Sequence, residues 1–158
     1  MKRTHIAALL TALLFAPGLG AQGYRDHGRP ADRDFEDRRG RVTGIIADCE
    51  RRTDEFKVAL RRALDHSRLD GTRKEDELNR AASVLEKAMN RLRESWNADR
   101  DFERSRRHLS VALNAGRDLN RTLSRHRLRG DIQREWDIVK DELNRLAEVF
   151  REPKIRWE

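Results

Sequence analysis

At 158 residues the chain has the length of one folded domain, and its make-up narrows the class. Charged residues are 40% and aromatics only 6%, which argues against a sheet protein or an aromatic-lined pocket and for long, solvated helices. The formal charge is +7, and the single cysteine, Cys49, excludes an intramolecular disulfide, so a packed core must hold the fold.

Residues 1–21 read as a secretory signal. Lys2 and Arg3 form a basic start, Ile6 to Phe15 an apolar run, and Gly18-Leu19-Gly20-Ala21 a small-residue cleavage region after Pro17. The run is shorter than the ~20 residues a membrane span needs. No cysteine follows it to carry a lipid anchor. The expectation is a periplasmic or secreted protein, cleaved near Gly20 and Ala21, with charge +5 once Lys2 and Arg3 are gone and no transmembrane segment afterwards. Residues 22–43 mix six arginines and five acids up to position 41 with glycines and Pro30, without apolar periodicity, and read as a flexible mixed-charge linker.

Four amphipathic helices are expected over 44–152. The first runs from Gly44 to about Leu69 on the stripe Ile45, Ile46, Cys49, Thr53, Phe56, Leu60, Leu64, with Gly71 as its C-terminal cap. The second starts at Thr72, whose partner Glu75 completes a capping box, and carries Leu78, Ala82, Leu85, Met89, Leu92 and Trp96. After a break at Asn97 to Arg100, the third carries Phe102, Leu109, Ala112, Leu113, Gly116, Leu119 and Leu123. The fourth follows Gly130 with Asp131 as N-cap and Trp136, Val139, Leu143, Leu146 and Phe150 as its stripe, and Pro153 stops it. Short connections make consecutive helices antiparallel neighbours, so the fold class is an all-α, antiparallel four-helix bundle. Residues 153–158 form an extended tail in which Ile155 and Trp157 are the anchors.

The two halves echo each other. Leu64 and Arg68-Leu69-Asp70-Gly71 recur at an offset of 59 as Leu123 and Arg127-Leu128-Arg129-Gly130. After the turn the offset is 58, and Leu78, Ala81, Leu85, Ala88 and Leu92 meet Trp136, Val139, Leu143, Leu146 and Phe150. A duplicated helical hairpin of about 55 residues accounts for this, each copy covering the other's apolar face.

Chemistry-bearing patterns are missing. No Glu-x-x-His pair places two metal ligands on one helix face, and Cys-x-x-Cys-His is absent, so neither a di-iron centre nor covalent haem is expected. Met89 on the apolar stripe leaves non-covalent haem as a distant alternative. The serines lack a glycine-framed elbow, and no glycine cluster forms a phosphate loop. The reading is therefore no enzyme, no cofactor and no metal. Cys49 is either a small buried residue, the clasp of an intermolecular disulfide or a reactive thiol.

Charge is the informative surface feature. From Asp101 to Gly130, eight arginines face three acids, leaving +5, whereas Asp131 to Glu152 carries −3. One reading is electrostatic matching of adjacent helices with a solvated face. The other is a basic strip, with Arg104, Arg107, Arg117, Arg121 and Arg125, for anionic envelope components such as lipid headgroups or for a protein partner. Interleaved aromatics that stack on bases are lacking on that strip, which argues against sequence-specific nucleic-acid reading.

The stretches Ala63-Leu-Asp-His-Ser-Arg-Leu-Asp-Gly71 and Trp136-Asp-Ile-Val-Lys-Asp-Glu-Leu-Asn-Arg-Leu-Ala147, with Trp157, resemble a group of exported bacterial tandem helical-hairpin proteins without assigned activity. The resemblance spans about residues 43–158 and implies the duplication but no catalytic residue. In size, export and charge the chain also resembles periplasmic chaperones of the Spy and CpxP type, although their Leu-Thr-x-x-Gln motif does not occur here. The functional expectation is an exported, non-enzymatic binding or scaffold protein. The alternatives are a periplasmic chaperone for unfolded clients and a haem-type cofactor-binding bundle.

Overall fold

The computed structural model describes residues 30–126 and 130–157, with side chains described from Glu36 onward. The signal segment and residues 127–129 of the internal echo lie outside the described residues. Four helices, α1 (Pro30–Asp65), α2 (Arg73–Asp99), α3 (Phe102–Ser124) and α4 (Gly130–Val149), pack as an all-helical bundle, and no strand occurs among the described residues.

The first helix corrects the expected linker. It begins at Pro30, not at Gly44, so residues 30–43 are helical despite Gly40 and Gly44, each of which costs a helix ~1 kcal/mol relative to alanine. Tertiary contacts outweigh that cost. Val42 is fully buried, Thr43 Oγ1 accepts from the Trp96 indole N–H at 2.8 Å, and the Arg38 guanidinium lies 5.5 Å from the centre of the Phe102 ring. Such contacts are invisible to a search for local apolar periodicity.

The helix ends follow side-chain chemistry. α1 stops at Asp65, short of Leu69, because Ser67 pulls the chain into a turn. Its hydroxyl donates to Leu64 O at 2.9 Å and accepts from the Leu69 N–H at 3.0 Å. Gly71 then takes a left-handed conformation at φ 69. Thr72 caps α2 by accepting from the Glu75 N–H, while the Glu75 carboxylate receives the Gly71 N–H at 2.7 Å, one residue earlier than a standard capping box. Between α2 and α3 the break is only two residues. Arg100 is left-handed at φ 48, and Asp101 Oδ1 accepts from the Arg104 N–H at 2.9 Å to start α3. α4 begins at Gly130, which places Asp131 inside its first turn instead of at the N-cap. It ends without a glycine: Arg151 is left-handed at φ 60, and the Glu152 N–H reaches Ala147 O at 2.8 Å, ahead of Pro153.

α1 packs along both α2 and α4, and α2 along α3, whereas α3 and α4 approach each other over a shorter stretch. One end of the core is aromatic, with Trp96 against Phe102 at 5.0 Å and Phe150 at 5.8 Å. Phe56 and Trp136 pack 5.2 Å apart further along, and Leu60, Leu64, Leu78 and Ile132 fill the core as well. Among the described residues no helix is long and apolar enough to cross a membrane.

Candidate functional site

α3 combines a small-residue inner face with an arginine-rich outer one. Ala112, Ala115 and Gly116 are buried, and a methyl group built on Gly116 would stand 2.9 Å from Leu143 Cδ1 and 3.3 Å from the Trp157 ring. That missing side chain lets the tail approach the helix. Ile155 is buried, its N–H is received by Asn144 Oδ1 at 2.8 Å, and Trp157 packs edge-on against Trp136 at 5.8 Å. The alternation of the tail leaves Arg156, between these two anchors, exposed.

The five arginines of the basic strip do not form one site. At ~100° per residue they spread over roughly 140° of the helix circumference. All five are exposed. Arg104 pairs with Asp99, and Arg125 lies 3.6 Å from Glu77. Arg107 makes no ion pair with the described residues. Arg117 donates to the Asn114 side-chain oxygen and Arg121 pairs with Asp118. Arg117 and Arg121, one helical turn apart, join Arg156, Asn120 and Trp157 around an open cleft of about 150 Å³. Asn120 is a structural member of this wall, since its Oδ1 accepts from the buried Trp136 indole at 2.9 Å.

Arg156 was absent from the strip read off the sequence because it belongs to another segment. The signal for it was the apolar–charged alternation of Ile155, Arg156 and Trp157. Arg106 is the opposite case. It is half-buried and joins α3 to the end of α4 through Glu152 at 3.1 Å and Phe150 O at 3.3 Å. Among the described residues that contact pairs basic α3 with the acidic segment that follows α4, while Lys140, Arg145 and Arg121 pair with acids of their own helices.

Two larger grooves carry mixed charge. The α1–α2 groove, about 350 Å³, contains Asp54, Lys57, Arg61 and Glu86, with Lys57 already paired to Glu86. The α1–α4 groove, about 340 Å³, combines Arg62 and His66 with Asp131 and Glu135. Among the described residues no group of three or more His, Cys, Asp or Glu is placed to hold a metal ion.

Cys49 requires a correction to the clasp reading. It is fully buried, with Sγ 3.9 Å from Met89 Sδ, and a cross-link to a second chain needs a thiol at the surface. Burial, followed by the negative charge of Glu142, pushes its thiol far above the ordinary range, so it stays protonated at neutral pH. Nearby, burial also raises the Glu50 carboxyl, opposed by Arg93 at 3.0 Å.

Comparison with protein-family models, curated proteins and solved structures found no match.

Proposed function

We propose that the chain is an exported, non-enzymatic helical-bundle protein that binds an anionic partner of the cell envelope or extracellular space through α3 and the tail. The observation that carries this reading is the meeting of Arg117, Arg121 and Arg156 at one cleft, with Asp118 the acid paired there. Exposed arginines whose charge is only partly neutralised attract anions from a distance, and salt weakens that attraction beyond ~10 Å at 0.1 M. The test is cosedimentation of the purified protein with phosphatidylglycerol-containing vesicles and with phosphatidylcholine alone. Selective, salt-sensitive retention on the anionic vesicles is expected. Equal behaviour on both would overturn the reading.

The bundle is read as antiparallel and as a duplicated hairpin. Three contacts run in opposite directions along α1 and α2: Thr43 with Trp96, Glu50 with Arg93, and Lys57 with Glu86. The α3–α4 contacts Arg106–Glu152 and Asn120–Trp136 run the same way. Support for the duplication comes from the shared burial of Leu78 and Trp136, Leu85 and Leu143, Ala88 and Leu146, and Leu92 and Phe150. Export rests on residues 1–21, and a reporter active only outside the cytoplasm, fused after residue 43, tests it.

A second reading, a chaperone for unfolded clients, draws on the exposed apolar side chains Val58, Val84, Val111 and Ile138, one on each helix. Suppression of client aggregation that is lost when all four become serine would favour it over the anionic-partner reading.

A further inference from the structure

We infer that the gap between α3 and α4, across which residues 153–157 lie, is a docking groove for an extended segment of another protein that carries an aliphatic side chain and an aromatic ring two residues apart. The inference is independent of the anionic-partner reading. Three sides of the bundle close helix on helix, α1 against α2 and α4, and α2 against α3. On the fourth side, α3 presents the small residues Ala112, Ala115 and Gly116, and its contact with α4 is short. The tail covers that side: Trp157 reaches both Gly116 on α3 and Trp136 on α4, and Ile155 is buried with its N–H on Asn144.

The way the tail is held defines what the groove accepts. Burial alternates along it as along a strand, with Ile155 and Trp157 turned inward and Lys154 and Arg156 exposed. Asn144 Oδ1 receives the Ile155 N–H at 2.8 Å, a bond that any residue except proline supplies. Among the described residues no backbone-to-backbone hydrogen bond is made beyond Glu152. Selection therefore lies in two inward side chains and their spacing, the pattern by which receptors take extended peptides. The tail is also an imperfect occupant. Trp96 and Trp136 donate their indole N–H groups to Thr43 and Asn120, whereas the Trp157 indole nitrogen is buried without an acceptor. A buried donor left unpaired opposes docking, so a segment with phenylalanine there seats a ring without that penalty. Trp157 is only half-buried, and the Lys154–Glu148 pair joins exposed side chains and adds little. The tail is thus held by few contacts and can give way while the four helices stay folded.

Calorimetry on the full protein tests this with a capped peptide of residues 152–158, whose side chains carry no net charge, so attraction to the α3 arginines cannot imitate docking. Trp157→Ala empties the aromatic seat and should bind the peptide at least tenfold more tightly than the native chain. Ile155→Ala should act in the same direction, and retained helical circular dichroism shows that both variants are folded. The Trp136 indole N–H resonance should shift in Trp157→Ala and return towards its native position as the peptide is added. A peptide with phenylalanine in place of tryptophan should bind at least as tightly. One with aspartate in place of isoleucine and alanine in place of tryptophan should bind at least tenfold more weakly. If no peptide binds either variant, or if native and variant proteins bind equally, the groove assignment falls. A phenylalanine peptide held more than tenfold less tightly than the tryptophan one would make the groove a seat for this chain's own tail alone. Native protein that dimerises, with the dimer lost in Ile155→Ala, would give the groove to a second copy. Either of these last results overturns the partner assignment.

Discussion

The α1–α2 seam and the α3–α4 seam close differently. Along α1–α2, contacts run directly between the two helices from Thr43 and Trp96 through Cys49 and Met89 to Lys57 and Glu86. Between α3 and α4 the inner face of α3 is small, at Ala112, Ala115 and Gly116, while Trp136 is large, and the tail residue Trp157 packs against both Gly116 and Trp136. Interhelical distance follows the side chains at the contact, so an indole between two helices holds their backbones apart. The comparison teaches that an apolar stripe fixes which positions are buried without fixing what fills the seam. The α3–α4 seam takes in the tail as a third segment, and the arginine cleft lies where the tail meets α3.

The largest expected effect lies on the tightly closed side. Trp96→Ala removes a fully buried indole from Thr43, Phe102 and Phe150 and should lower unfolding free energy by about 3–5 kcal/mol in urea denaturation. Trp157→Ala, at a half-buried tail position, should cost about 1–2 kcal/mol in the same measurement. Equal losses would make the tail as integral as the core and erase the contrast between the seams.

Gly116→Ala probes the close approach directly. Alanine gains ~1 kcal/mol of helix propensity, but its methyl group overlaps buried Leu143 and crowds Trp157, and overpacking costs about 1–3 kcal/mol. A net loss of about 1 kcal/mol is expected, together with a shifted Trp157 resonance. A stabilised variant would show instead that Leu143 and the tail yield easily, making this seam looser than its contacts imply.

The smallest effect concerns pH on the α1–α2 side. Burial raises the Glu50 carboxyl above its ordinary 4.5 and the Asp54 carboxyl above 3.8, for Asp54 with help from Glu86. For an acid whose folded pKa is raised, the stability contribution is complete below the unfolded value and is lost as pH rises through the folded value. Thermal melts from pH 7 down to 4.5 should therefore show the native protein gaining on a Glu50→Gln, Asp54→Asn double variant. Exposed Glu55, Asp101 and Asp137, held low by their hydrogen bonds, act with the opposite sign, and their contribution is lost only as pH falls through their lowered values. A difference that does not change with pH would remove desolvation of the two carboxyls from the account of this seam.

The amino-acid sequence by itself determined the helical class, the buried stripes and some of the helix ends, because each depends on spacing of three and four residues or on a cap next to its own helix. Thr72 and Asp101 act within a few residues of where they stand. Only the tertiary structure decided that Gly40 and Gly44 lie inside a helix, that Cys49 is sealed against Met89, and that Arg156 stands beside Arg117 and Arg121. Each of these depends on residues far apart in the chain. Burying Val42 and Ile45 outweighs two glycines, and a missing side chain at Gly116 brings Trp157, with Arg156 beside it, onto α3. Local periodicity says which face turns inward, but which segments meet there is settled by packing volume and by long-range contacts that no short window of sequence contains.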